Sequence, residues 1–197
     1  MKEKYIDVVS SELFNHPNVL ETLEQLNFEI VYVVKEIKTK EDADFVFPKS
    51  KKYRPAFLFF DLSLYSVLKN KLPKGALILG QGKSLSSNTT ILTNKSSIHL
   101  LNPISLETSF DEGLARIAKQ NKKIILFNIT DIWSNTHKTI KQMQFIIPIL
   151  QKHKIEMRFI TFAKKPANLI DPIVLQEFLK NFNLEKPLIK RILQEKI

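Results

Sequence analysis

The run "PKSKKYR", residues 48–54, sets Lys49, Lys51, Lys52 and Arg54 around the ring of Tyr53. Cations at this spacing with an interleaved aromatic suit a nucleic acid, because ammonium and guanidinium groups neutralise phosphates while a ring stacks on an unpaired base. A second pair, Lys164 and Lys165, follows the apolar run "FITFA", and Lys83 follows two glycines in "GQGKS". That glycine segment is not a Walker loop, which needs glycine five positions before its Gly-Lys pair; Leu77 stands there. Gly80 and Gly82 read as a tight turn, with a backbone nest for one phosphate as the alternative.

Metal and nucleophile chemistry finds less support. The histidines, His16, His99, His137 and His153, include no pair at ligand spacing, and the chain has no cysteine. Disulfides, Cys-zinc sites and thiol catalysis are therefore excluded. Asp7 and Asp61 lie in or at the end of strand-like runs, where a carboxylate capping a loop is the simpler reading and a relic of an acidic site the sharper one.

Charge is unevenly spread. The net is +10 over 197 residues, but residues 1–47 carry −5, residues 48–100 carry +8 and the remainder +7. A basic surface of this kind favours polyanionic partners. The competing explanation is compositional, since lysine far outnumbers arginine (Arg54, Arg116, Arg158 and Arg191), as in lysine-enriched proteomes. At 44% hydrophobic residues the chain suits one soluble domain spanning 1–197. Its longest apolar runs fall short of a membrane span and no signal-like segment opens it, so the expectation is a cytoplasmic protein with no membrane partner.

The elements that must position these residues alternate. Strand-like runs fall at residues 5–10, 28–37, 56–62, 75–80, 97–103, 123–129 and 157–163, several of them continuously apolar as strands buried on both faces are. Helical patterns occupy 18–26, 62–70, 109–122 and 138–153, and the chain closes with "PIVLQEFLKNF" and "EKPLIKRILQEK". Seven strands alternating with helices in so short a chain predict an α/β fold in the form of a compact barrel. Within 109–122, Ser109 and Glu112 form a capping box, and Phe110, Leu114, Ile117 and Ala118 make one apolar face. Gly113 borders that face, which predicts close backbone approach to a neighbouring element. Pro148 should kink or interrupt its helix, and Trp133 reads as core cover.

The segments "SSIHLLNPIS" and "SFDEGLARIAKQNKKIILFNI" resemble the TIM-barrel-like protein subunit of archaeal and eukaryotic nuclear ribonuclease P, the protein component 3 family. "GQGKSLSSN" upstream, and "FITFA" and "DPIVLQEFL" downstream, are similar to further segments of that family in the same order, over about residues 80–180. Arg116 matches the family's pattern, whereas Thr89, Leu126 and Gln144 depart from it. The resemblance implies a TIM-barrel-like (β/α) barrel that helps a catalytic RNA remove the 5′ leader of precursor tRNA. It implies no catalytic residue, bound metal or cofactor in this chain, with magnesium held by the RNA, and partners in the ribonuclease P RNA, precursor tRNA indirectly and a ferredoxin-like protein subunit. The RNA-contact candidates are then Lys49, Lys51, Lys52, Tyr53, Arg54, Lys83, Arg116, Lys164 and Lys165. Two alternatives stand beside this reading. One is a metal-dependent phosphoesterase-like hydrolase on a similar barrel, and the other a protein-only scaffold that never touches RNA.

Overall fold

The computed structural model describes residues 5–82, 84–103, 110–134 and 136–194. Seven strands, β1 (Tyr5–Ser10), β2 (Phe28–Ile37), β3 (Tyr53–Phe59), β4 (Leu77–Gln81), β5 (Ile98–Leu101), β6 (Ile125–Asn128) and β7 (Met157–Ile160), lie side by side in sequence order. Every neighbouring pair is parallel. The sheet curls until its edges meet: Phe162 N–H donates to the Val8 carbonyl at 2.8 Å, and Ser10 N–H to that of Ala163 at 3.0 Å. The fold is thus a nearly closed parallel barrel ringed by helices, as the alternation predicts.

All seven expected strands are present: β1 and β2 have the expected bounds, β3 begins earlier, at Tyr53, and ends at Phe59, and the last three are shorter than their apolar runs. The fourth starts at Leu77 and not at Gly75, because Gly75 takes φ +79° and turns the chain before the strand begins. Val8, Ile30, Val34, Leu58, Leu79 and Leu126 fill the barrel interior. Alternate residues such as Val9, Val31, Phe57 and Phe127 face outward under the helices. Between β2 and β3 there is no α-helix. Phe47 covers Phe57 instead, ring to ring at 5.2 Å, so the chain returns along the barrel as an aromatic strap.

The helices are α1 (Val19–Gln25), α2 (Leu62–Leu68), α3 (Leu85–Thr93), α4 (Glu112–Gln120), α5 (Ile129–Ser134), α6 (Thr136–Lys152), α7 (Pro172–Lys180) and α8 (Lys186–Gln194). Two of them, α3 and α5, have no counterpart among the expected patterns. Ser84 caps α3 reciprocally with Ser87, and the hydroxyls of Thr89, Thr90 and Thr93 bond back to carbonyls one turn earlier, so a Ser/Thr-rich stretch of modest propensity folds as helix. α6 runs on through Pro148 without interruption. Trp133 is 42% exposed and meets Phe178 of α7 edge to face at 6.3 Å, so it only partly serves as cover.

Two expectations for α4 are corrected. Its N-cap is Asp111, whose carboxylate accepts from Leu114 N–H at 2.8 Å, while Ser109 lies outside the described residues. Gly113 is exposed in the first turn, and a Cβ there would meet only the Asp111 carboxylate, at 3.2 Å. The tight packing comes from Ala115 and Ala118, both fully buried. Gly113→Ala should therefore raise stability by about 0.4–1 kcal/mol, because alanine narrows the unfolded ensemble and the carboxylate can yield slightly. A urea midpoint below that of the parent would show that the cap cannot adjust.

Candidate nucleic-acid interface

Because the strands are parallel, the barrel has two distinct ends, one where strands begin and one where they finish. The "PKSKKYR" run lies at the first. Ser50 organises it, its Oγ accepting from Lys52 N–H at 3.2 Å and its carbonyl from Tyr53 N–H at 3.3 Å. The Lys52 carbonyl then accepts from Val31 N–H at 3.0 Å, which starts the β2–β3 ladder. Lys49, Lys51 and Arg54 are exposed. Lys52 bends inward to donate to the Leu23 carbonyl at 3.2 Å, and burial lowers its pKa. Tyr53 packs edge to face on Phe14 at 5.2 Å, its hydroxyl pKa raised chiefly by burial. The loop thus presents three free-standing cations, with Lys52 and Tyr53 fastening it to the barrel.

Lys164 and Lys165 sit at the opposite end, beyond β7, and both are exposed. Lys164 Nζ bridges Glu36 at 3.1 Å and Glu12 at 3.3 Å. Burial alone would lower its pKa, but the hydrogen bonds and charges of Glu36 and Glu12 outweigh burial and hold it above the ordinary lysine value. Around it a cavity of about 240 Å³ is lined by Glu36, Gln81, Asn128, Asp131, Lys164 and Asn168 among others. Its rim is internally bonded: Asn102 Nδ2 donates to Asp131 at 2.6 Å, and Asn102 Oδ1 accepts from Asn128 N–H at 2.9 Å. Arg116 belongs to neither end. It lies exposed on α4, 3.9 Å from Glu112, whose carboxylate also binds Lys152. Lys83 lies outside the described residues. The candidate cations therefore fall into separate groups and do not converge on one pocket.

The two aspartates are structural. Asp61 caps α2 by accepting from Ser63 N–H at 2.8 Å and from its hydroxyl at 2.7 Å. Asp7 sits in the closing seam, where Oδ1 accepts from Val8 and Thr161 N–H, both at 2.8 Å, and Oδ2 from the Thr161 hydroxyl at 2.5 Å. Its pKa rises to about 6, chiefly through burial, against the opposing pull of those hydrogen bonds. His99 is held neutral: burial, then the charge of Lys123, lowers its pKa to about 4, and Nδ1 accepts from Ile124 N–H at 3.1 Å. Among the described residues, no three His, Cys, Asp or Glu side chains gather closely enough to hold a metal ion.

The glycines of "GQGKS" do not make a tight turn. Gly80 lies within β4 and Gly82 just beyond it, and neither has a positive φ. A Cβ on Gly82 would fall 2.5 Å from the Asn102 carbonyl oxygen and 2.5 Å from Asn88 Oδ1. Asn88 is fully buried and donates to the Pro103 carbonyl at 3.2 Å. Gly82, Asn88, Asn102 and Pro103 thus interlock β4, α3 and the exit of β5. Residue type alone missed this knot, although the glycines, Asn88 and "NP" were the signal that carried the family resemblance.

The fold is that of a parallel (β/α) barrel of TIM type, with cation-bearing loops at its strand-starting end. No protein-family model matches the chain, and no curated protein matches it. Among solved structures it is similar to a chain of the cryo-EM structure of archaeal ribonuclease P with mature tRNA, with a TM-score of 0.77 at 17% identity, covering 95% of this chain and 86% of the other. At that identity the likeness is one of fold. Among the described residues, no helix is long and apolar enough to cross a membrane.

Proposed function

We propose that this chain is a protein subunit of ribonuclease P, of the TIM-barrel-like protein component 3 type, assisting the RNA in removing the 5′ leader of precursor tRNA. The observation that carries the reading is the shared barrel, which extends over 95% of the chain to a component of an archaeal ribonuclease P structure. The sequence resemblance over residues 80–180 points the same way. On this reading the RNA and its magnesium ions perform the chemistry, and the protein contributes cations that lower the repulsion between packed phosphates. Lys49, Lys51, Arg54, Arg116 and Lys165 are all exposed, and the three in the "PKSKKYR" run are the candidates best placed for that work. A ferredoxin-like subunit is the proposed protein partner, and the cytoplasm the proposed compartment.

Reconstitution tests this directly. Cleavage of precursor tRNA by the cognate RNA and the other protein subunits should fall when this chain is omitted and recover in part at high magnesium, which screens phosphates by other means. The chain alone should not cleave. Equal rates with and without it would end the subunit reading. If the chain is required but yields only protein crosslinks in the assembled particle, it is a scaffold without RNA contact.

A further inference from the structure

We infer that the RNA docks on the strand-starting end of the barrel, the face built by the connections into β3–β7, and that this face takes a phosphate backbone. The inference rests on the ribonuclease P reading and adds to it the end of the fold that is used. Enzymes of this architecture place their chemistry at the other end, where strands finish. Here the charges are arranged the opposite way.

Each connection entering β3–β7 carries exposed cations. Beyond the "PKSKKYR" run these are Lys69, Lys71 and Lys74 before β4, Lys95 before β5, Lys122 before β6 and Lys154 before β7. Within residues 48–54, 69–76, 94–97, 121–124 and 153–156, Glu156 is the one carboxylate, and it is held by the buried Arg158. None of those six lysines forms an ion pair among the described residues. At the finishing end, carboxylates such as Glu12, Asp42, Asp61 and Asp131 ring the mouth, and Lys35, Lys38 and Lys164 are each paired with one. A phosphate backbone approaching the mouth meets net negative charge, and one approaching the other end meets unpaired ammonium groups.

The backbone argues against composition as the sole cause. Lys122 and Lys154 adopt φ 51° and 53° just past the ends of α4 and α6, the left-handed position that glycine or asparagine normally takes. After α1 and α7, the left-handed positions are held by Asn27 and Asn183. A lysine there strains the backbone, because its Cβ crowds the following carbonyl oxygen. The helix dipole favours a cation beside a helix C-terminus and accounts for part of this choice, at Lys95 after α3 as at Lys122 and Lys154, but Lys74 lies in the loop well past α2 and beyond its reach. Like charges gathered on one face repel in the free protein, and a bound polyanion relieves that repulsion.

The test compares two variants of the full chain binding the cognate ribonuclease P RNA across a potassium chloride series. The first changes Lys71, Lys74, Lys95 and Lys122 to glutamine, and the second changes Lys38, Lys164 and Lys165. The first should bind more weakly, with its log–log salt slope shallower by about 0.7–0.9 for each phosphate no longer neutralised, while the second keeps the parental slope. Lysine acylation of the unmutated chain provides a readout free of folding effects: RNA should protect Lys71, Lys74, Lys95 and Lys122 and leave Lys165 reactive. A parental slope in the first variant, or protection confined to Lys164 and Lys165, overturns the assignment of the face and leaves the subunit reading intact. No salt-dependent association of the unmutated chain, together with cleavage that does not need it, overturns both.

Discussion

Gly82→Ala should destabilise the protein by about 3 kcal/mol, at the upper end of the range for overpacking a core. The added methyl would stand 2.5 Å from the Asn102 carbonyl oxygen, 2.5 Å from Asn88 Oδ1 and 2.9 Å from Leu100 Cδ1. Two of those neighbours cannot retreat cheaply. Asn102 is backbone, fixed by its N–H donating to the Leu126 carbonyl at 2.8 Å, and Asn88 is fully buried and tied to Pro103. Gly82 itself is pinned by its N–H donating to the Leu101 carbonyl at 2.7 Å, so the strand cannot shift without giving up a ladder bond. For a domain of this size the melting temperature should drop by roughly 6–12 °C. Gly80→Ala is the informative comparison. Its methyl would meet Ile91 Cγ1 at 2.7 Å and Cδ1 at 2.9 Å; that buried, β-branched side chain cannot simply change rotamer, but relief needs only a shift of α3 against the strand and breaks no polar contact, so its cost should be smaller. A Gly82→Ala protein that melts within 2 °C of the parent would show that the knot loosens without loss, contrary to the overpacking expected of such contacts.

The barrel was legible because its signal is long-range and redundant. Apolar strand runs such as "FEIVYVV" are buried along nearly their whole length in a parallel sheet, and seven of them with helices between in so short a chain favour a barrel over an open sheet. The apolar face of α4 was legible for the same reason: Phe110, Leu114 and Ala118 are buried together. The places where reading failed are local. Gly113 looked like a packing glycine because it borders an apolar stripe, yet the helix begins one residue before it, at Glu112, and its side faces solvent. Gly82 looked like a turn, because nothing in its neighbours reveals that a carbonyl 20 residues later presses against it.

The candidate site was legible in residue type and not in arrangement. Lysine content shows that a cation is available, while the strand ends decide where it points and which carboxylate reaches it. Lys164 illustrates this, since Glu36 and Glu12 are far from it in sequence and come to it only when β1, β2 and β7 close the barrel. Conversely, no local motif sets Lys71, Lys74, Lys95, Lys122 or Lys154 apart singly. Parallel topology places all of them at one end.

Asp7 and His99 should oppose each other in the acid stability of the protein. The pKa of Asp7 is raised to about 6 in the fold, so between its ordinary value of 3.8 and 6 the folded state holds a proton that the unfolded state has released. Its contribution to stability is therefore fully present at low pH and is lost as pH rises through that window. His99 runs the other way. With its pKa lowered from 6.5 to about 4, the unfolded state binds the proton first, and stability is lost as pH falls through 6.5 towards 4. Each effect is of order 3 kcal/mol, and over the shared window they largely cancel. The parent should accordingly show little change in unfolding free energy from these two groups between about pH 4 and 6. Asp7→Asn should expose the His99 limb. The amide oxygen can keep both backbone donors, Val8 and Thr161, and the amide nitrogen can donate to the Thr161 hydroxyl, so the seam should stay closed. That variant should lose stability steeply on acidification, while His99→Gln should gain it over the same range. Urea unfolding at half-unit pH steps checks both slopes. Parallel pH profiles for the parent and Asp7→Asn would mean that the seam carboxylate is already ionised in the native state, its three hydrogen bonds outweighing burial.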